Sequence, residues 1–333
     1  MKQILVIQTA SIGDVILATA VLEKLHASYP EAQIDFLVKK GNQSLFFGHP
    51  FIRNILVWDK KKNKIQNLLK LIMVVREMKY DFVVNLQRFL SSGLITALSQ
   101  AKEKAGFDKN PMSFTFSRKF PHYIGENNGT YMHEIERNQQ LIAFKTDNKA
   151  CKPKLYPSEA AYSKTHEYKN DEYICVAPAS LWYTKQYPKE EWCKFLEKMP
   201  KKYKIYLLGS TCDIDTCRHI KDHLPKHDIT ILAGELSLLE SAALMKDSKM
   251  NYVCDSSPMH LATAVDAPTT AIFCSTVPEF GFGPLASKSF IVQTKEELKC
   301  RPCGLHGHRE CPKGNFACAT SIKHEDLLSI LES

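Results

Sequence analysis

The 333-residue sequence has no long apolar segment. Its most apolar stretch, LLKLIMVV at 68–75, is interrupted by Lys70 and followed by Arg76. A membrane-spanning helix needs about 20 mostly apolar residues, so we expect none here. The first residues, MKQILVIQ, read as a strand and lack the apolar core and cleavage site of a secretory signal. Internal repeats and low-complexity segments are also missing, so we expect a folded cytoplasmic protein.

Disulfide bonds are not expected either, although the sequence contains 11 cysteines. In a protein without an export signal, thiols stay reduced and serve as free groups or as metal ligands. Four of the cysteines follow the pattern C-x2-C-x7-C-x6-C: Cys300, Cys303, Cys311 and Cys318. This spacing leaves a structural zinc ion open as an alternative, but we expect no metal in the site.

Basic charge is concentrated in the first half of the chain. Residues 1–165 contain 24 Lys and Arg against 14 Asp and Glu, a net charge of +10, whereas residues 166–333 have 20 against 22, a net charge of −2. The basic residues include Lys39, Lys40, Lys60, Lys61, Lys62, Lys64, Arg118 and Lys119. A well-solvated surface would explain scattered lysines, but a cluster favours an anionic partner for the N-terminal half.

Short apolar segments alternate with helical patterns along the chain. Predicted strands cover 4–8, 34–38, 54–58 and 81–86, and then 173–178, 205–209, 229–234, 251–255 and 269–274. Predicted helices begin at Asp14 and cover 64–79 and 91–100. This alternation predicts parallel sheets covered on both faces, in two α/β domains joined by a polar linker at 145–172. A final amphipathic helix at 321–332 has Ser321 as its expected N-cap.

Ligands bind beyond the carboxyl ends of parallel strands, so the residues that follow the strands are candidate site residues. After the strand at 173–178 comes APASLWYTKQYPKEEW, in which Ser180, Thr184 and Lys185 lie in a loop and Pro188 is expected to begin a helix. Hydroxyl groups, free backbone N–H groups and a lysine form a natural phosphate cradle. A capped turn without a ligand is the alternative.

A second anion-binding loop is predicted after the strand at 251–255. Asp255, Ser256 and Ser257 form an N-cap cluster before a helix, and His260 lies in the first turn of that helix. This histidine can donate to a phosphate oxygen, although a single histidine is more often structural. Two such cradles in one domain suggest a diphosphate ligand.

Three further residues stand just after predicted strands. Asp213 follows the strand at 205–209, and its carboxylate suits the vicinal diol of a ribose, although an ordinary turn also explains it. Leu236 lies in the loop-to-helix step GELSLLESAALM, whose backbone suits an adenine. In the N-terminal half, Asp14 follows the first strand in QTASIGDVILATAVL, where a loop opens toward solvent.

These segments, taken in their order along the chain, resemble glycosyltransferase family 9, the ADP-heptose:lipopolysaccharide heptosyltransferases. The resemblance rests on IxTxxxGD at 7–14, SxxxTKxxP at 180–188, LLGS followed by Asp213, GELSL at 234–238, Asp255 followed by SSPMHLA at 256–262, and CRPC…CP…C from Cys300 onward. It extends over nearly the whole chain and is weakest at 100–165.

The resemblance implies a GT-B fold, in which two Rossmann-like domains face each other across a cleft. It assigns residues 1–165 to an acceptor-binding domain and residues 166–320 to a nucleotide-sugar-binding domain. The last segment, 321–333, would then be a C-terminal helix that packs back on the N-terminal domain.

The resemblance also implies roles for individual residues. Asp14 takes the place of the proposed general base, which deprotonates the acceptor hydroxyl, and Lys185 that of the lysine that neutralises the departing diphosphate. The other expected donor-binding residues are Ser180, Thr184, Asp213 at the ribose, Leu236 at the adenine, Asp255, Ser256, Ser257 and His260. Ser256 and Ser257 replace a Thr-Gly pair that is frequent in the family, and anion binding by backbone N–H groups survives that change. The expected acceptor-binding residues are Lys60, Lys61, Lys62, Arg88 and Arg118.

Together, these features predict an inverting glycosyltransferase that transfers heptose from ADP-heptose to the inner core of lipopolysaccharide. The ADP-sugar is a substrate, and no cofactor is expected to be required. The expected partners are the nucleotide-sugar donor, a phosphorylated lipid-linked saccharide acceptor and the inner face of the inner membrane, where the enzyme would be peripheral; no nucleic acid is expected. The alternatives are another nucleotide sugar or cell-surface glycan acceptor, and a non-catalytic nucleotide-sugar-binding protein.

Overall fold

The computed structural model describes residues 1–126 and 130–332. The chain divides into two compact units, Met1–Tyr156 and Pro157–Ser333, each built around its own parallel sheet. The division comes earlier than the expected boundary at residue 165, because the segment just after Tyr156 forms a helix that packs within the second unit. Residue 333, the last of the predicted C-terminal segment, lies outside the described residues.

The first unit begins with β1 (Gln3–Ile7), whose sequence QILVI is almost completely buried. Buried strands of this kind are typical of parallel sheets covered by helices on both faces. The other strands are β2 (Gln33–Lys39), β3 (Ile52–Trp58), β4 (Phe82–Asn85), β5 (Glu103–Phe107) and β6 (Arg118–Phe120), and the helices are α1 (Ile12–Ser28), α2 (Lys64–Glu77), α3 (Leu90–Leu98) and α4 (Glu134–Gln140). The strand order is β3-β2-β1-β4-β5-β6, and neighbouring strands are parallel throughout.

The second unit repeats this architecture around a sheet of strand order β12-β11-β10-β7-β8-β9, again with parallel neighbours. Its strands are β7 (Tyr173–Ala177), β8 (Lys204–Leu207), β9 (Ile229–Ile231), β10 (Asn251–Cys254), β11 (Thr269–Phe273) and β12 (Ser289–Gln293). Its helices are α5 (Glu159–Thr165), α6 (Lys189–Glu197), α7 (Ile214–His223), α8 (Leu238–Lys246), α9 (Ser257–Ala264), α10 (Ala317–Thr320) and α11 (His324–Glu332). The predicted pair of parallel α/β units is confirmed.

The sequence pattern predicts neither β5, β6 and α4 in the first unit nor β12 in the second. The strand β5 reads EKAGF, and its charged residues and glycine interrupt the apolar run that marks a buried strand. The helix α4 reads EIERNQQ, and most of its buried residues are polar, so its packing against α1 leaves no apolar period in the sequence. Tertiary contacts rather than local pattern define these elements.

Two predicted helix ends also differ from the structure. Pro188 is the N-cap of α6 rather than its first residue. Ser321 is the C-cap of α10, and its hydroxyl donates to the carbonyl oxygen of Ala317 at 2.7 Å, so it does not cap α11, which begins only at His324. Of the helices that the structure describes, none is long and apolar enough to cross a membrane.

The last helix, α11, packs within the second unit. Leu327 and Leu331 are buried in the core of that unit, and the hydroxyl of Tyr252 on β10 donates to the carbonyl oxygen of Leu327 at 3.1 Å. The helix contacts α6 and β12, so its apolar face is buried within the second unit. That the C-terminal segment also packs back on the N-terminal domain stays a prediction.

Each sheet has a point at which the strand order reverses. In the first unit, β2 and β3 lie on one side of β1, and the chain then returns to place β4 on the other side. In the second unit, β8 and β9 lie on one side of β7, and β10 lies on the other. A crevice opens at the carboxyl ends of the strands at such a switch point, and it is the usual ligand site of an open α/β sheet.

Candidate active site

Asp14 lies in the first turn of α1, beyond the carboxyl end of β1. The helix begins at Ile12, with Ser11 as its N-cap, rather than at Asp14 as predicted. The Oδ2 atom of Asp14 accepts hydrogen bonds from the backbone N–H of Ser11 at 3.2 Å and from the Ser11 hydroxyl. Among the described residues, no hydrogen bond reaches the other carboxylate oxygen. Asp14 therefore caps the helix with one oxygen and keeps Oδ1 available to accept a proton.

Two glutamines join the loops at the switch point of the first unit. The side-chain amide of Gln87, after β4, donates to the side-chain oxygen of Gln8, after β1, and both residues are buried. Arg88, the next residue, is exposed. Lys60, after β3, reaches the same edge, because its Nζ donates to the carbonyl oxygen of Thr9 at 2.7 Å and to the Thr9 hydroxyl at 3.1 Å. Arg88 and Lys60 thus place two cations beside the loop that precedes Asp14.

Lys60 is an unusual cation because it is half-buried. Burial lowers the pKa of Lys60 to about 8, and the charges of Lys39 and Lys64 act in the same direction. Its ammonium also lies 4.6 Å from the centre of the Trp58 ring. Lys60 therefore remains charged at neutral pH but loses its proton under mildly alkaline conditions.

Lys61 and Lys62 differ from Lys60 in being exposed. Their backbone N–H groups donate to Oδ1 of Asp59 at 2.9 and 3.2 Å and form the turn that precedes α2. A hydrogen bond from Lys40, together with these two N–H groups, holds the pKa of Asp59 at about 2. These two lysines belong to the surface around the start of α2.

Arg118 is not brought to the edge of the sheet that carries Asp14. It is the first residue of β6 and so lies at the amino end of a strand parallel to its neighbour β5. Its Nε lies 3.6 Å from Oε1 of Glu103, and its guanidinium lies 4.4 Å from the centre of the Phe144 ring. Because β6 is not predicted from the sequence, the side of the sheet on which Arg118 lies was not predictable either.

The helix α4 contains a buried ion pair that interacts electrostatically with Asp14 and Arg88. Sequence reasoning missed this pair. Nε of Arg137 lies 2.8 Å from Oε2 of Glu134, and the two side chains are 2% and 7% exposed. Burial raises the pKa of Glu134, and the charge of Asp14 raises it further, whereas Arg137 and Arg88 lower it. The i,i+3 spacing of the pair is visible in EIER, but nothing in the sequence indicates its burial.

Lys185 and Asp255 form an ion pair at the switch point of the second unit. Nζ of Lys185, after β7, lies 2.7 Å from Oδ2 of Asp255, after β10. The hydroxyl of Thr276 donates to the same oxygen at 2.6 Å. The two side chains are 16% and 7% exposed, so water screens the pair only weakly. Since a carboxylate repels a diphosphate, Asp255 is suited to positioning Lys185 rather than to contacting phosphate.

The turn that carries Lys185 is held by the cysteine-containing loop near the C-terminus. The buried hydroxyl of Thr184 accepts from the backbone N–H of His308 at 2.7 Å and bonds to the Ser275 hydroxyl at 3.0 Å. The backbone N–H of Thr184 donates in turn to the carbonyl oxygen of His308 at 3.1 Å. Gly307 has a φ of +73°, and a Cβ at this position would lie 2.7 Å from the Thr184 hydroxyl. Only glycine therefore permits this close approach. The Thr184 hydroxyl takes part in the hydrogen bonds that hold the turn.

The start of α9 supplies the second predicted loop, and the structure brings it next to the first. Ser256 is the N-cap of α9, and its hydroxyl donates to the carbonyl oxygen of Ala179 at 3.3 Å, beside Ser180. Ser257 is the first helical residue, and His260, in the first turn, is 6% exposed. The N-terminus of a helix presents backbone N–H groups and a positive dipole end, so this position favours an anion.

Asp213 and Leu236 lie beyond the next two strands of the same sheet, β8 and β9. Oδ2 of Asp213 accepts from the backbone N–H and the hydroxyl of Ser210 at 2.7 and 2.8 Å, which forms a capping box. Leu236 is half-buried and precedes Ser237, the N-cap of α8. The candidate nucleoside contacts therefore follow the candidate phosphate contacts along one edge of the sheet.

The four cysteines of the C-x2-C-x7-C-x6-C pattern do not come together as the ligands of one metal site. Cys300 is exposed, and Cys303, Cys311 and Cys318 are half-buried. Burial raises the pKa of the Cys318 thiol to about 11, and nearby thiol groups, including that of Cys311, act in the same direction. In the described part of the chain, no three of these sulfur atoms lie within 4.8 Å of one another.

Two parallel α/β units, one with the carboxylate of Asp14 at its switch point and the other with the Lys185–Asp255 ion pair at its switch point, have the arrangement expected of a glycosyltransferase of the GT-B class. The model of glycosyltransferase family 9 (heptosyltransferase) matches residues 68–312, and the chain belongs to this family.

Individual relatives match over nearly their whole length. Lipopolysaccharide heptosyltransferase 1 of Campylobacter coli is 23% identical over 99% of this chain and 98% of its own length. Lipopolysaccharide heptosyltransferase 1 of Pseudomonas aeruginosa is 25% identical over 90% of this chain and 86% of its own length. The solved structure of E. coli ADP-heptose lipopolysaccharide heptosyltransferase II has 21% identity, covers 100% of this chain and 98% of that one, and superimposes with a TM-score of 0.80. This chain therefore has the fold of that enzyme.

Proposed function

We propose that this protein transfers heptose from ADP-heptose, with inversion at the anomeric carbon, to the inner core of lipopolysaccharide. The observation that carries the proposal is the Lys185–Asp255 ion pair, which joins the two loops predicted to bind the diphosphate at the switch point of the second unit. Membership of a heptosyltransferase family and the names of its relatives support the choice of donor and acceptor.

The donor diphosphate would bind beyond β7 and β10. Backbone N–H groups at the start of α9, together with Ser257 and His260, would hold its oxygens, and Lys185 would approach from the opposite loop. As the bond between the anomeric carbon and the diphosphate oxygen breaks, negative charge grows on the departing group and Lys185 stabilises it. The ribose would reach Asp213, and the adenine would lie at Leu236.

The acceptor hydroxyl would be activated by Asp14. Its Oδ1 would take the hydroxyl proton while the acceptor oxygen attacks the anomeric carbon, and the hydrogen bonds from Ser11 to Oδ2 keep the carboxylate oriented. Lys60 and Arg88 lie at the same edge of the sheet and would bind the anionic groups of the acceptor. We propose that the leaving group is neutralised by these protein groups and that the reaction needs no cofactor.

Membrane docking is proposed for the exposed face of α2. Ile65, Leu69 and Met73 recur at intervals of four residues and are 73%, 56% and 56% exposed, so they form an apolar stripe on the outside of the helix. The exposed lysines Lys61 and Lys62 precede this stripe. An apolar face flanked by basic residues suits the interface of an anionic membrane, so we propose a peripheral position on the inner face of the inner membrane.

Transfer measured by mass spectrometry tests the proposed reaction. The purified protein is incubated with a heptose-free lipopolysaccharide core and with ADP-heptose, other ADP-sugars, UDP-sugars or GDP-sugars in parallel. We expect the mass of one heptose to be added only with ADP-heptose, and Asp14→Asn to form this product about 10²–10⁴ times more slowly. Transfer from another sugar nucleotide would overturn the donor assignment. Tight ADP binding without transfer from any donor would show a non-catalytic binding protein instead.

A further inference from the structure

We infer that α6 and α7 of the second unit form a binding site for a divalent transition metal, with Cys193, His219 and His223 as its ligands. One potential ligand atom of each side chain lies within 4.8 Å of the other two. Within residues 1–126 and 130–332, no other group of three His, Cys, Asp or Glu side chains meets this condition. The site is separate from the loops proposed to bind donor and acceptor, and it does not depend on the proposed function.

The helices place the three side chains together. His219 and His223 are four residues apart on α7, so they lie on one face of the helix, and their ring centres are 4.0 Å apart. Cys193 lies on α6, which packs against α7. Zinc bonds of about 2.0–2.3 Å require ligand atoms to be separated by about 3.3–3.6 Å in a tetrahedral site. The ligand atoms lie within 4.8 Å of one another on exposed and half-buried side chains, so rotation of these side chains would bring them to that range.

A hydrogen bond fixes one of the two histidine rings in an orientation that suits a metal ligand. Nδ1 of His223 lies 2.8 Å from the carbonyl oxygen of His219, and a carbonyl oxygen can only accept. Nδ1 therefore donates to this carbonyl group, which leaves Nε2 as the ring atom that can bind a metal, as in other histidine ligands that are fixed by a hydrogen bond to a carbonyl group.

The third ligand and its surroundings indicate which metal would bind. Metal binding displaces the proton of the Cys193 thiol, because the thiolate is the ligand. One thiolate and two imidazoles suit Zn²⁺, or Co²⁺ as its spectroscopic substitute, whereas Mg²⁺ and Ca²⁺ prefer oxygen ligands. The fourth position can be filled by water.

A metal ion at this position would join two helices that begin close to candidate donor contacts. The helix α6 follows the turn that contains Lys185, and α7 follows Asp213 directly. A ligand that binds only the folded chain stabilises it by mass action. We therefore expect the ion to act as a structural clamp between α6 and α7, and not to take part in sugar transfer.

Cobalt titration of the metal-free, full-length protein tests the site. We expect one equivalent of Co²⁺ to bind and to produce thiolate-to-cobalt charge-transfer absorption. Cys193→Ser should abolish this absorption, and His223→Gln should weaken binding by at least about tenfold, since even the loss of a hydrogen-bond partner of a ligand has that effect. The matched control is Cys300→Ser/Cys303→Ser, which should bind Co²⁺ as the wild type does. Absorption that survives Cys193→Ser but disappears in the control would place the metal in the cysteine-containing loop and overturn the proposal.

Thermal unfolding gives a second measurement that does not require activity. At free Zn²⁺ of about one hundred times its Kd, the melting temperature of the second unit should rise by about 5–10 °C. Cys193→Ser should remove this rise; because Cys193 packs against the core of the second unit, the melting temperature of each variant is compared with its own metal-free value. If wild type and Cys193→Ser respond equally to Zn²⁺, or if neither binds Co²⁺, the site does not exist.

Discussion

The ammonium group of Lys185 lies 2.7 Å from the carboxylate of Asp255 and so joins the loops that follow β7 and β10. This carboxylate neutralises the lysine, so under the proposed function a donor diphosphate would share the cation with it. Both side chains are largely shielded from water, so the removal of one partner leaves the charge of the other without compensation. The two partners should therefore respond differently to substitution.

Lys185→Ala should weaken ADP binding by about tenfold or more and also lower kcat, because the loss of the cation leaves Asp255 beside the diphosphate. Calorimetry with ADP and steady-state kinetics with the full substrates measure the two effects. Lys185→Arg is the matched control and should recover part of both. Unchanged ADP affinity together with unchanged kcat would remove Lys185 from the site.

Asp255→Asn should lower kcat without weakening ADP binding. The lysine becomes free for the diphosphate, so ADP should bind as tightly as before or more tightly, while kcat falls because Lys185 is less well positioned. In the double variant Lys185→Ala/Asp255→Asn, ADP affinity should be higher than in Lys185→Ala, since the uncompensated carboxylate is gone. A double variant no better than Lys185→Ala would show that the pair is not coupled in donor binding.

Asp14→Asn should reduce kcat by about 10²–10⁴-fold and leave ADP affinity unchanged, because it removes the general base and not the donor contacts. Asparagine can still accept from the backbone of Ser11, so the melting temperature should change little. The comparison variant Ser11→Ala keeps the carboxylate and the backbone hydrogen bond but removes the N-cap hydroxyl that donates to Oδ2, so it should cost about 0.5–2 kcal/mol of stability and lower kcat less than Asp14→Asn does. If Asp14→Asn lost stability and kept its kcat, Asp14 would be a cap and nothing more.

Acceptor binding should weaken as the pH rises through about 8, because burial lowers the pKa of Lys60 to about 8 and its charge is lost there. Stability should change in the opposite direction. Between about 8 and the ordinary lysine value of 10.5, the unfolded chain binds a proton that the folded chain does not, so the contribution of Lys60 to stability increases with pH. A rise in acceptor KM with pH is therefore not a sign of unfolding.

Two substitutions of Lys60 separate this effect from other titrations. Lys60→Arg keeps its charge, so acceptor KM should no longer depend on pH between about 7 and about 9, whereas Lys60→Met should have a high KM throughout. The measurement is acceptor KM at saturating donor across that range. An unchanged pH profile in Lys60→Arg would exclude Lys60 from acceptor binding.

The parts of the candidate site that follow predicted strands could be predicted from the sequence. Asp14, Lys185 and Asp255 each lie just after an apolar run, and parallel strands bring such positions to one edge of a sheet. The two α/β units follow from the same alternation. What the pattern does not contain is the partner of each residue: the pairing of Lys185 with Asp255 depends on the order of β7 and β10 in the sheet.

Residues that are positioned by tertiary contacts could not be predicted from the sequence. Glu134 and Arg137 lie on a short helix whose buried face is polar, so periodicity does not mark it. Gly307 and His308 reach the turn of Thr184 from a distant loop, and spacing within the cysteine pattern carries no information about that contact. Cys193, a ligand of the proposed metal site, lies near two histidines on the next helix and falls outside every spaced motif.

Two features of α2 should contribute to binding at an anionic membrane. The apolar stripe should contribute by burying its side chains in the membrane interface, and the adjacent lysines should contribute by their positive charge. Leu69→Gln/Met73→Gln should reduce cosedimentation with vesicles that contain anionic lipid at any salt concentration, because both side chains are 56% exposed and their apolar surface is otherwise left in water. Lys61→Glu/Lys62→Glu should reduce it mainly at low salt, since basic residues near such a surface contribute about 1 kcal/mol each and are screened beyond about 8–10 Å. Ile291→Thr, an exposed apolar residue of β12 in the second unit, is the matched control and should bind as the wild type does. ADP affinity should be unchanged in all three variants. Equal vesicle binding by the α2 variants and the control would show that α2 is an ordinary solvated helix and that the basic charge of the first unit serves another partner.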